Sequence, residues 1–138
     1  MGDTREMAAK FEEVLKSGDF SRVGELTKEY ATDDYVEEWP QSGERLSRKA
    51  TEEMAARYPE MSGTNPKFTY RRMLGGGDVY VVEGTIDYGD GIPVSYVGIS
   101  ELRDGKIART TSYFANPFEA PAWRADIVER MEPEPVKA

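Results

Sequence analysis

From Lys67 onward the chain adopts a two-residue hydrophobic period, in runs at about 67 to 74, 78 to 88, 92 to 102 and 106 to 115. Between the runs stand Gly75-Gly76-Gly77-Asp78, Gly89-Asp90-Gly91 and Arg103-Asp104-Gly105, residue types that supply the positive φ of tight hairpin turns. Runs joined this closely pair as an antiparallel meander, because parallel neighbours need a crossover of a dozen residues or more. A glycine run beside an aspartate also suits a phosphate cradle, but that cradle needs a helix behind it, and none follows these turns.

Before Lys67 the period is helical. Met7, Phe11, Val14 and Leu15 recur at helical spacing, with Asp3 and Glu6 as a capping pair and Gly18 as the stop. Phe20, Val23, Leu26 and Tyr30 predict a second helix, folded back on the first because the link between them is so short. Ala50, Met54 and Tyr58 mark a third, opened by Ser47 as N-cap and closed by Pro59. After Asn116-Pro117-Phe118, Trp123, Ile127 and Met131 mark one face of a last helix that starts at Pro121 and ends at Pro133. Helices followed by an antiparallel meander predict an α+β fold, with helices on one face of a curved sheet. With 138 residues the expectation is a single domain, core about residues 4 to 131 and a short proline-containing tail.

Composition narrows the chemistry. Cysteine and histidine are both absent, which removes disulfides, thiolate nucleophiles, imidazole bases and nearly all metal sites built from soft or nitrogen ligands. Proton transfer would fall to Asp, Glu, Tyr or Lys. A net charge of -8 opposes nucleic acid and anionic membrane surfaces, and no apolar run reaches the length of a membrane span. A cytoplasmic location and no cofactor are expected. Asp87-Tyr88-Gly89-Asp90 offers too few ligands at unsuitable spacing for a calcium loop.

The segment Tyr30 to Arg45 places carboxylates at the end of a short apolar strand, beside Trp39 and before Pro40, with Asp33-Asp34 read as a turn. Glu37 and Glu38 alternate faces, so only one can point inward, and Glu38 is the expected acid/base residue; an ion pair to Arg45 or Arg72 would neutralise it. Strand parity puts Tyr80, Val82, Gly84 and Ile86 on one inner face with Val94, Tyr96, Gly98 and Ser100, and with Thr110, Ser112 and Phe114. Gly84 and Gly98 either floor a cavity or relieve a bend. Tyr58, Tyr70, Tyr80 and Tyr96 are candidate phenolic donors, and Trp123 and Phe114 either anchor the final helix or close over a planar ligand.

This pattern resembles the nuclear transport factor 2-like superfamily, which includes ketosteroid isomerases and SnoaL-like polyketide cyclases. The resemblance rests on Phe11 to Asp19, Tyr30 to Arg45 and Ser100 to Phe118, and with element order it spans roughly residues 7 to 131. It implies a cone-shaped curved sheet closed by three helices, an apolar pocket, and homodimerisation through the outer face of the sheet. Val36-Glu37-Glu38-Trp39-Pro40 resembles the isomerases' base segment with Glu38 at the base position. Their two oxyanion donors fall near Phe11 and Gly98, neither of which has a side chain that donates. The cyclases' catalytic carboxylate falls at Ser112. The resemblance thus implies a pocket for a small apolar organic molecule. Two functions remain open: cofactor-independent isomerase, cyclase or dehydratase chemistry with Glu38 as base, or ligand binding or an accessory dimeric role without catalysis.

Overall fold

In the computed structural model the described residues are 4–19, 21–62 and 66–131, the side chains of Ser21 and 58–62 excepted. Asp3, Phe20, Pro133 and the Tyr58 side chain therefore lie outside the described residues.

Three helices precede most of the sheet: α1 (Arg5–Ser17), α2 (Ser21–Tyr30) and α3 (Arg48–Ser62). Gly18 stops α1 in the left-handed region at φ 82°, its N–H bonded to the Leu15 carbonyl. Thr4 is the N-cap residue, but its hydroxyl lies 2.8 Å from the Tyr80 hydroxyl and donates to the Gly77 carbonyl, tying the helix start to the sheet. Ser47 caps α3 as its sequence predicts, accepting the Ala50 N–H at 3.1 Å. The helix does not close at Pro59 but runs to Ser62. A proline near a helix end removes one backbone donor without preventing a last turn.

The sheet has six strands: β1 (Ala31–Trp39), β2 (Glu44–Ser47), β3 (Lys67–Gly76), β4 (Val79–Asp87), β5 (Val94–Arg103) and β6 (Lys106–Ala115), in the order β2-β1-β6-β5-β4-β3. The last four form the expected antiparallel meander. The chain segment before α3 adds two more strands. β1 lies parallel to β6, with a register shift between Ala31 and Val36, and β2 pairs with β1 as an outer edge. Asp33 and Asp34 thus belong to β1 rather than to a turn; Asp33 is paired with Arg48 and Asp34 with Arg103.

Parity sorts the meander as its sequence predicts. Ile86, Val94 and Ser112 are buried, while Arg109 and Tyr113 on the alternate face are exposed. Helix α1 packs toward β3, α2 toward β6 and α3 toward β1, so all three cover one face and leave the other open. The core falls into two apolar clusters. One gathers Met7, Tyr35 and Ile107, and the other Leu15, Phe68, Ile86 and Val94.

The C-terminal helix is the main correction. Among the described residues of this segment only a 3-10 turn forms, at Ala122–Arg124, and Trp123, Ile127 and Met131 are exposed. An amphipathic segment this short gains most of its helical stability from a surface that buries its apolar stripe, and here the stripe has no such cover. Trp123 therefore does not lie over the cone.

Candidate active site

Nine residues of alternating orientation in β1 decide the site. Tyr35 is almost fully buried, so Glu37 and Trp39 at the same parity face the cone interior, and Val36 and Glu38 face away. The expected inward placement of Glu38 is therefore corrected. Its carboxylate lies outside, held by Arg45 at 2.8 Å, its cross-strand partner on β2, with Arg109 of β6 at 3.5 Å. Two cations on neighbouring strands fix it there.

Glu37 takes the interior position. The indole Nε1 of Trp39 donates to one carboxylate oxygen at 2.6 Å, and the Tyr35 hydroxyl donates to the other at 3.3 Å. Burial pushes the Glu37 carboxyl above the usual glutamate range, and these two hydrogen bonds oppose the rise without reversing it. No arginine or lysine pairs with it among the described salt bridges. The result is a carboxyl in a cleft, poised nearer neutrality than a solvated glutamate.

Phenols and hydroxyls converge on the same space. Tyr96 approaches Ser112 at 3.1 Å, and Ser100 approaches Thr110 at 3.3 Å. Burial, and then the Glu37 charge, raise the phenol pKa values of Tyr35 and Tyr96, so both remain protonated donors. Glu37, Tyr35, Tyr96, Gly98 and Thr110 share a cavity of about 70 Å³, closed from the helix side by Phe11 and Leu15.

The glycines behave differently from each other. A Cβ on Gly84 would strike the Phe68 ring and the Thr69 carbonyl, so Gly84 seats a core ring and floors no cavity. A Cβ on Gly98 would strike the Tyr96 hydroxyl, so the absence of a side chain lets that phenol lie across the strand.

Of the other expected ligand-binding residues, Phe11 and Thr110 line the cavity, and Ser112 is buried against Tyr96. Trp39 meets Phe114 edge-on at 5.9 Å, and Phe114 lies 5.3 Å from Tyr96. Tyr70 and Tyr80 are placed elsewhere. Tyr70 donates to Glu12 at 2.7 Å beneath Lys16, which pushes its phenol up to about 12, burial being the larger cause; Tyr80 pairs with Thr4. Arg72 lies on the outer face, 2.6 Å from Glu83. In the β4–β5 loop, Asp87 accepts the Gly89 and Gly91 N–H groups and Asp90 that of Ile92, so both carboxylates shape the turn. Among the described residues no group of three or more acidic, histidine or cysteine side chains could hold a metal ion. No helix among them is long and apolar enough to cross a membrane.

The sequence reading did not single out Tyr35, and it expected Glu38 rather than Glu37 to face inward. The signal was present: Tyr35, Glu37 and Trp39 share parity, and two aromatic rings mark the buried face.

The sequence model of the SnoaL-like domain matches residues 8–110. No curated protein matches significantly. An NTF-2 like protein of unknown function from Burkholderia xenovorans LB400 is 32% identical, with TM-score 0.71 over 94% of this chain and 95% of that one. A "putative ketosteroid isomerase" from Kribbella flavida DSM 17836 is 27% identical, with TM-score 0.76 over 95% and 91%. A LEH-like epoxide hydrolase from M. tuberculosis, 19% identical with TM-score 0.55 over 79% and 83%, shares the fold.

Proposed function

Since the chain belongs to the SnoaL-like domain family of the nuclear transport factor 2-like superfamily, we propose that it binds a small organic molecule and moves a proton on it with Glu37 as base. The observation that carries this is the interior carboxyl of Glu37, raised by burial and held by Trp39. A raised carboxyl can accept a proton from a carbon beside a carbonyl and return it nearby, the elementary step of isomerisation, cyclisation and dehydration. Tyr96 and Tyr35 supply protonated phenols in the same cavity, where the isomerases' donor positions are filled here by Phe11 and Gly98. A phenol aimed at the carbonyl oxygen would stabilise its developing negative charge.

Exchange of α-protons on 2-butanone in D2O, followed by proton NMR, tests the reading without a known substrate. The protein should accelerate exchange, and Glu37→Gln should reduce the acceleration by about 100-fold or more. Exchange no faster than in buffer, or unaffected by Glu37→Gln, would leave the second reading, ligand binding without catalysis.

The open sheet face supports a homodimer. Among the described residues no helix covers it, and Leu74, Val79 and Tyr113 are exposed along it, with Val97 and Ile99 at the same parity. Sedimentation should give a dimer that Ile99→Glu converts to monomer, and a monomeric parent protein would refute it.

A further inference from the structure

The cavity that reaches Glu37 is too small for a whole ligand of the expected kind. It measures about 70 Å³. One water takes about 30 Å³ of the liquid, so the space suits a polar head of a few atoms.

A second hollow of about 570 Å³ lies at the end of the sheet where β4 leaves, β5 enters and β6 ends, lined by Tyr88, Ile92, Val94, Phe114 and Pro117. Val94 and Tyr96 are successive inward residues of β5, as are Ser112 and Phe114 of β6. Tyr96 lines the inner cavity and Phe114 the hollow, and the two are direct partners in the β5–β6 register. The Tyr96 and Phe114 rings, 5.3 Å apart, thus bring the two linings into contact.

We propose that the two spaces form one bipartite site, in which the hollow takes the apolar body of a ligand whose polar head reaches Glu37, with Phe114 as the divider that sets ligand shape. This rests on the reading of Glu37 as the working carboxyl. The ligand class is an uncharged, elongated molecule with an aliphatic or aromatic body of several carbons and a carbonyl or hydroxyl head. Anionic ligands are disfavoured at both ends: Glu37 stands at the head, and Asp90 lines the hollow with its carboxylate turned to the Ile92 N–H.

Binding of 2-alkanones from butanone to decanone, read by Trp39 fluorescence in a Trp123→Phe background, tests the proposal. The two tryptophans of the chain make Trp39 the sole reporter there. Affinity should rise about fourfold per added methylene, the value for complete burial of a CH2 group. Ile92→Asp, at an exposed position of the hollow, should flatten that rise. Hexanoate should bind more weakly than 2-hexanone. Affinity independent of chain length, or a rise that survives Ile92→Asp, overturns the proposal. A flat series that steepens on replacing Phe118 and Trp123 by alanine also overturns it, in favour of the exposed C-terminal segment as occupant. Chain-length dependence is read from binding alone. It can therefore hold even where α-proton exchange fails, which separates failure of this proposal from failure of Glu37 as base.

Discussion

The indole Nε1 of Trp39 lies 2.6 Å from Glu37 Oε2, so the residue two positions along the strand holds the carboxylate that faces the cone interior. An aromatic at this parity serves twice. Its ring packs edge-on against Phe114 and its N–H satisfies a carboxyl that would otherwise be costly to enclose. The same geometry leaves Glu38 to the arginines outside. The expected chemistry of each glutamate follows from its face of one strand.

Glu37 should make stability fall as pH rises. Its folded-state pKa is raised by burial, so the native state holds the proton more tightly than the unfolded chain. The native state then binds more protons above the unfolded glutamate pKa, and linkage makes stability decline from there through the folded pKa. Glu37→Gln removes this dependence and retains an acceptor for Trp39. Denaturant titrations at pH 4 and pH 7 should show the variant gaining stability relative to the parent at the higher pH. An equal difference at both pH values would show that Glu37 titrates as it does in the unfolded chain.

Trp39→Phe should move the acid limb of any α-proton exchange activity to higher pH. The indole N–H favours the charged carboxylate and is the largest effect opposing burial at Glu37. Its loss leaves desolvation less opposed and raises the pKa further. A pH–rate profile measures the shift, and movement to lower pH would contradict the hydrogen bond's role.

The meander was legible because glycine and aspartate at three fixed places leave few alternatives to hairpins, and alternation then assigned Ile86, Val94 and Ser112 inward. The site was half legible. Glu38 was favoured by its place in a motif, whereas Tyr35 and Trp39 flank Glu37 at the parity that burial selects. Strand β2 was hidden because its edge residues, Glu44 and Arg45, are polar and exposed, and its pairing to β1 depends on the chain turning at Pro40 to Gly43. The last helix was overread because Trp123, Ile127 and Met131 carry the right spacing without a surface to bury them.

Glu38→Gln should leave both the cavity and α-proton exchange intact. Arg45 and Arg109 are more than half exposed, and ion pairs of this kind contribute below about 1 kcal/mol. Unfolding and exchange rates measured beside Glu37→Gln separate the two positions. A 100-fold loss on Glu38→Gln with an unchanged Glu37→Gln variant would return the base role to the outer face.

Gly98→Ala should displace Tyr96 without unfolding the sheet. The added Cβ meets the hydroxyl end of the Tyr96 side chain and no backbone atom, whereas Gly84→Ala meets the enclosed Phe68 ring and the Thr69 carbonyl. Overpacking at a site that cannot yield costs about 1–3 kcal/mol, so Gly84→Ala is the more destabilising of the pair. Gly98→Ala acts instead on the site: with the Tyr96 hydroxyl moved from Ser112, exchange should fall while the unfolding midpoint changes little. Tyr96→Phe provides the control, since it removes the same hydroxyl without adding volume. Equal loss of exchange in the two variants assigns the effect to the phenol, and full activity in Tyr96→Phe would remove Tyr96 from the chemistry.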